Sequence, residues 1–202
     1  MNLPFLASFI ALILILSMVL SRNKRNSKKA DQLFWERERR ANSVRRKSLE
    51  RLDYIKIPLD TLPVHTFTEN STVKECLDIL YALSEQPIVN LTGYSNTDLK
   101  LEYGTANITP LSEYDQNYTV LARTLQKWAD ALWDGGFSIQ AAEVMEFAVS
   151  THTDVSRTYY RLAEYYALQN RTDKIKVLVQ EAEQLRSASS QIIARTLTES
   201  YL

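Results

Sequence analysis

The chain has 202 residues, four glycines, two histidines and one cysteine, and its 24 Lys+Arg balance 24 Asp+Glu. One cysteine excludes an internal disulfide framework, and four glycines leave little for phosphate-cradling loops. The neutral total hides a polarised chain: residues 1–21 are uncharged, Arg22–Arg51 hold 12 basic and 4 acidic residues, and the remainder holds the other 12 basic and 20 acidic ones, so a +8 segment precedes a −8 segment.

The first element is the run "LPFLASFIALILILSMVLS", Leu3–Ser21, apolar throughout. About 20 such residues span the hydrocarbon core as a helix. No basic residue precedes the run and "SMVLSR" is a poor cleavage site, so it reads as an uncleaved anchor over residues 1–21 rather than a signal peptide. "RNKRNSKK" follows its C-terminal edge. Basic flanks stay inside, which predicts a single-pass protein of the cell membrane with its N-terminus outside and its C-terminal domain in the cytoplasm. Five N-x-[ST] triplets, at Asn70, Asn90, Asn107, Asn117 and Asn170, pull the other way, because they would be glycosylated only in a secretory lumen.

Residues 22–53 read as a basic juxtamembrane helix. From Asp31 to Leu52 there is no Gly or Pro, and the helix is expected to continue from the membrane run. Arg22, Lys24, Arg25, Lys28 and Lys29 are candidate contacts to anionic lipid headgroups, and Trp35, beside Phe34, suits the same level. Membrane lipids are thus one expected partner. Nucleic acid is not, since aromatic interleaving is sparse and no fold for base readout is present.

Residues 54–71 read as an extended linker or strap. In "LDYIKIPLDTLP" the prolines at 58 and 63 push Ile57 and Leu62 out of the α region, and Ile55 and Ile57 alternate with Tyr54 and Lys56.

Residues 72–202 read as an all-α domain. Thr72 and Glu75 form a capping-box pattern, and Val73, Cys76, Leu77, Leu80 and Leu83 predict a helix from Thr72 to Glu85. Residues 88–116 are poorly legible; "DLKLEYG" reads as a short helix with a cap between Ser95 and Asp98. A face from Tyr118 to Leu132 marks the next helix, stopped by Gly135 and Gly136. Ala141 to Val149, Tyr159 to Tyr166 and Ile175 to Leu185 mark three more, with Asp154 and Thr172 as expected caps. A last helix carries Ile192, Ile193, Leu197 and Tyr201.

A shift of 34 residues places Leu125 on Tyr159, Trp128 on Leu162, Ala129 on Ala163, Leu132 on Tyr166, Met145 on Val179 and Ala148 on Ala182. That period belongs to the tetratricopeptide repeat, and about residues 122–187 resemble this family. Ile175 departs from its small-residue pattern, and Thr153 stands where its closing proline belongs. Two units need flanking helices as caps, because stacking requires about three. The resemblance implies a partner groove lined by Arg123, Gln126, Asp130, Trp133 and Asp134 from the first unit. The second unit supplies Arg157, Tyr160, Glu164, Ala167 and Leu168. Its occupant is either residues 54–63 or an extended segment of another protein. The whole chain is also similar to a group of single-pass bacterial membrane proteins through the membrane run, "FWERERRAN", "LDYIKIPLDTLP" and "LKLEYG", which implies topology.

No nucleophile elbow or dinucleotide fingerprint occurs. His65 and His152 share no metal-ligand spacing with Cys or a carboxylate. No catalysis, cofactor or metal is expected. The expected function is a membrane-anchored protein-binding adaptor or scaffold; a permanent assembly subunit and an exported helical domain are the alternatives.

Overall fold

The computed structural model describes the backbone of residues 3–202. In its first helix it describes the side chains of Leu12, residues 16–18, Leu20, Arg22, Lys24 and everything from Lys28 onward. Among the described residues the chain forms eight α-helices and one 3₁₀ turn: α1 Leu3–Asn42, α2 Ser71–Ser84, α3 Asn96–Tyr103, the 3₁₀ turn Thr105–Asn107, α4 Ile108–Asp134, α5 Ser138–Ser150, α6 Ser156–Leu168, α7 Thr172–Glu183 and α8 Ser190–Tyr201. The architecture is all-α. Among the described residues no helix is long and apolar enough to cross a membrane; the expected anchor, residues 1–21, falls for the most part on side chains outside them, as does Arg25.

The backbone divides into two compact units. The first joins Met1–Lys47 to Ser95–Ile108, with α1 packed on α3. The helix expected to reach Leu52 stops at Asn42. Tertiary hydrogen bonds replace the helical ones: the Lys47 N–H donates to the Tyr103 carbonyl at 3.0 Å, and the Asn107 amide takes the Lys47 carbonyl at 2.7 Å. Gly104 (φ +87°) is required here, since a Cβ would stand 2.3 Å from the Arg45 carbonyl oxygen. Ala41, Thr97, Leu99 and Asn107 form the buried centre. Glu38 accepts from Thr97 and Lys100, and Arg37 pairs with Asp98. These hydrogen bonds hold the Glu38 carboxyl below the usual range. The capping box foreseen at the start of α3 is present between Ser95 and Asp98.

The second unit joins Ser48–Tyr94 to Thr109–Leu202. Residues 54–63 lie against it. The Ile55 N–H donates to the Ile88 carbonyl at 2.9 Å, Tyr54 bridges Val89, and Ile55, Ile57 and Leu59 pack on a core that includes Leu62 and Val64. Helix α2 is capped by Asn70, whose Oδ1 accepts from the Thr72 and Val73 N–H groups; the expected Thr72–Glu75 box is absent because the helix begins at Ser71, which puts Thr72 inside its first turn, and Glu75 pairs with Lys127. Helix α4 begins ten residues before Tyr118. Pro110 is tolerated there because first-turn N–H groups need no helical acceptor, and Leu111 already points into the core.

Helix α6 packs on α5, α7 and α8, and α7 packs on α8, around a centre of Trp128, Leu132, Met145, Tyr159, Leu162 and Ile175. The expected caps Asp154 and Thr172 are displaced. The residues preceding α6 and α7 are Val155 and Arg171, neither with a side-chain cap, and Thr172 is already helical.

Two turns in this unit are built alike. After α4, Phe137 N–H bonds the Leu132 carbonyl at 2.9 Å and Gly136 N–H bonds that of Trp133 at 3.0 Å. After α6, Arg171 N–H bonds the Tyr166 carbonyl at 2.8 Å and Asn170 N–H bonds that of Ala167 at 3.0 Å. Both reversals need a left-handed residue, Gly136 at φ +87° and Asn170 at φ +55°.

Candidate functional site

A cavity of about 670 Å³ lies within the second unit, between the C-terminal half of α4, the segment that leads into α2 and the start of α6. Residues Phe67, Asn70 and Thr72 form one side, Arg123, Gln126, Lys127, Asp130 and Asp134 another, and Val155 closes it. The four-residue spacing of Gln126, Asp130 and Asp134 puts them on one helical face. Gly135 lies under Phe67, where a Cβ would come within 2.6 Å of the ring. Phe67, itself at φ +58°, packs against Phe137 with ring centroids 5.1 Å apart.

Asp130 is the electrostatic hub. It pairs with Arg157 at 3.1 Å and Arg161 at 3.2 Å, and Arg161 reaches Asp134 at 3.4 Å. The Arg161 guanidinium also covers the Trp133 ring at 5.2 Å. Thr158 donates to the Gln126 carbonyl oxygen at 2.5 Å, which leaves the Gln126 amide nitrogen buried without a partner. Lys127 pairs with Glu75 at 2.7 Å, and that hydrogen bond raises the lysine pKa. Arg123 is exposed and has no ion-pair partner among the described residues.

Of the ten residues placed in the groove by sequence, the structure brings Arg123, Gln126, Asp130 and Asp134 to the cavity wall, while Ala167 and Leu168 do not line it. Arg157 reaches it through Asp130. Trp133 packs on the core under Arg161 rather than facing the cavity. Tyr160 and Glu164 do not line it: the Tyr160 carbonyl receives the Tyr201 hydroxyl of α8 at 3.4 Å, and Glu164 is exposed elsewhere. Residues 54–63 pack on the domain through Ile55, Ile57 and Leu59 and do not line this cavity. Phe67, Asn70, Thr72 and Arg161 are additions. Arg161 was signalled by the matched spacing of Asp130/Asp134 and Arg157/Arg161; the loop residues had no sequence signal.

The membrane-surface candidates Arg22, Lys24, Lys28, Lys29 and Trp35 are exposed on α1. Four of the five glycosylation-pattern asparagines have structural duties. Asn70 caps α2. The Asn90 amide nitrogen donates to the Thr151 and His152 carbonyls, each at 3.0 Å. Asn107 is buried and donates to Lys47 and Tyr103. Asn117 donates to the Pro87 carbonyl at 2.9 Å. Asn170 alone is exposed with its side chain unengaged, in the turn after α6.

Cys76 is buried, and burial pushes its thiol up to about 11, which keeps it protonated and unreactive. Among the described residues no group of three or more His, Cys, Asp or Glu side chains is placed to hold a metal ion. Set against protein-family models, curated proteins and solved structures, the chain matches none.

Proposed function

We propose that this chain is a membrane-anchored adaptor whose tetratricopeptide-like unit holds an extended segment of another protein beside the inner face of the membrane. The repeat reading is supported by element spacing: α6 and α7 begin at Ser156 and Thr172, and residues 34 earlier fall inside α4 and at Ser138, where α5 begins. The two left-handed turn residues, Gly136 and Asn170, are also 34 apart.

The cavity carries the binding reading. Its wall combines an unpaired guanidinium, Arg123, with a buried amide nitrogen that has no partner, Gln126. An unsatisfied buried donor costs about 1–3 kcal/mol, and an incoming backbone carbonyl would remove that cost. Arg123 suits a carboxylate on the same segment, and Phe67 and Val155 supply apolar contact.

The inner location is supported by the basic flank after Ser21. The structural duties of Asn70, Asn90, Asn107 and Asn117 account for most of the triplets that favoured export.

A photoreactive side chain in place of Arg123, in the full chain in living cells, tests the function. Covalent adducts with a second protein are expected from position 123 and not from position 164. Adducts only within the chain, or equal yields from both positions, would refute it.

A further inference from the structure

Helix α1 runs unbroken from Leu3 to Asn42, with no Pro or Gly after Pro4 to bend it. At about 1.5 Å per residue, a helix that leaves the bilayer at Ser21 carries Trp35 about 21 Å further along its axis. The headgroup layer is only about 5–7 Å deep on each side. Arg22 and Lys24 then meet lipid, while Trp35, Arg39 and Arg40 stand clear of it. This inference rests on the anchored reading above.

The part of α1 that stands clear is not covered by α3. Arg37, Glu38 and Ala41 face α3. Lys28, Gln32, Trp35 and Arg39, at spacings of four, three and four, share a different face, with Lys29 and Arg40 beside them. All are exposed, Trp35 by 64%. None of the four cations has an ion-pair partner among the described residues. Asp31, Glu36 and Glu38 are the nearby acids, and Glu38 is engaged by Lys100 and Thr97 on the α3 side. Phe34 meets the Trp35 ring edge-on at 5.4 Å.

Two such stripes repel each other, so α1 does not pair with α1 of another copy. The complementary surface is acidic with an aromatic at its centre, and the chain carries one. On α2 and its C-cap residue, Asp78, Tyr81 and Glu85 lie at spacings of three and four and are exposed, Tyr81 by 49%. Lys74 is the one cation on that face. We propose that the basic Trp35 stripe of α1 docks on the acidic Tyr81 face of α2 in a neighbouring copy, so that copies in one membrane associate head to tail. A contact of this kind is heterologous, so each copy offers one surface to each of two neighbours, and it forms a ring or an open row according to the rotation between copies. Anchoring in one membrane raises the effective concentration of neighbours.

The test uses full chains, donor- or acceptor-labelled through a C-terminal tag, in liposomes at a fixed low protein-to-lipid ratio. Energy transfer is expected to exceed the random-proximity level at about 50 mM salt and to fall to it at about 500 mM, where screening is short-ranged. Lys28→Glu with Lys29→Glu, Arg39→Glu and Arg40→Glu should abolish the excess, as should Asp78→Lys with Glu85→Lys. Mixing the two variants should restore it. Failure of the mixture to restore transfer, transfer that survives high salt, or no excess at all would overturn the proposal. Carbonate extraction of the same liposomes separates the two readings: a chain released by carbonate is not anchored, whatever its energy transfer.

Discussion

The side-chain amide of Asn107 donates to the main-chain carbonyl of Lys47 across 2.7 Å, joining residues sixty positions apart. The same nitrogen reaches the Tyr103 carbonyl, also at 2.7 Å, and its oxygen accepts from Arg46 Nε at 3.0 Å. Asn107 is fully buried, so its removal leaves the Lys47 carbonyl without its donor and the Tyr103 carbonyl with the Lys47 N–H as its donor. Asn107→Ala should destabilise the first unit by about 2 kcal/mol. Amide exchange at Lys47 should accelerate accordingly, about thirtyfold. Exchange unchanged within a factor of two would mean that this asparagine does not hold the segment.

Gly136 and Asn170 occupy equivalent left-handed turns. A Cβ at Gly136 would meet nothing within 4 Å, so any cost of Gly136→Ala is conformational and not steric. That cost should be about 1 kcal/mol. Asn170→Ala should cost somewhat less, since Asn already bears part of the penalty, and Asn170→Gly should be neutral or slightly stabilising. Urea unfolding of the three variants checks the order.

Asp130 and Asp134 both pair with Arg161, yet they differ in exposure: 22% against 71%. Exposed pairs contribute about 0–1 kcal/mol. Asp134→Ala should therefore change stability by less than about 0.5 kcal/mol. Asp130→Ala leaves Arg161, only 19% exposed, without its less exposed partner, and should cost about 1–2 kcal/mol. Equal effects for the two variants in thermal unfolding would show that the hub is not Asp130.

The buried phenols predict the behaviour in alkali. Burial raises Tyr118 from 10.0 to about 12, against the lowering effect of the Thr151 and Thr153 side chains, and burial raises Tyr159 and Tyr166 further. A folded pKa above the unfolded one gives stability that is complete below pH 10 and lost as pH rises through the folded value. Unfolding should set in between about pH 10 and 12, with these three tyrosines ionising as the fold is lost. Absorbance at 295 nm with circular dichroism reads both events. Full phenolate absorbance at pH 10.5 in a folded chain would contradict the burial.

The α4–α8 helices were legible because a 3.6-residue apolar period and Gly135–Gly136 mark them locally. The end of α1 was not, because Arg45–Lys47 has ordinary helix propensity and is held out of the helix by hydrogen bonds to Tyr103 and Asn107, distant in sequence. Four of the ten expected groove residues reached the cavity because α4 presents one face. Trp133 failed for a tertiary reason: Arg161 stacks over it. Tyr160 failed because α8, whose Tyr201 bonds its carbonyl, lies beside it. Phe67 and Asn70 come from a loop whose path depends on Phe137 and Gly135, so no local pattern announced them.

Sided labelling is the most direct test of where the groove faces. Asn170 is exposed, and Cys76 is buried with a raised thiol pKa, so Asn170→Cys gives one reactive thiol in the full chain. A membrane-impermeant maleimide should label it only after cells are permeabilised. Labelling in intact cells would put the helical unit on the outer side and contradict the account.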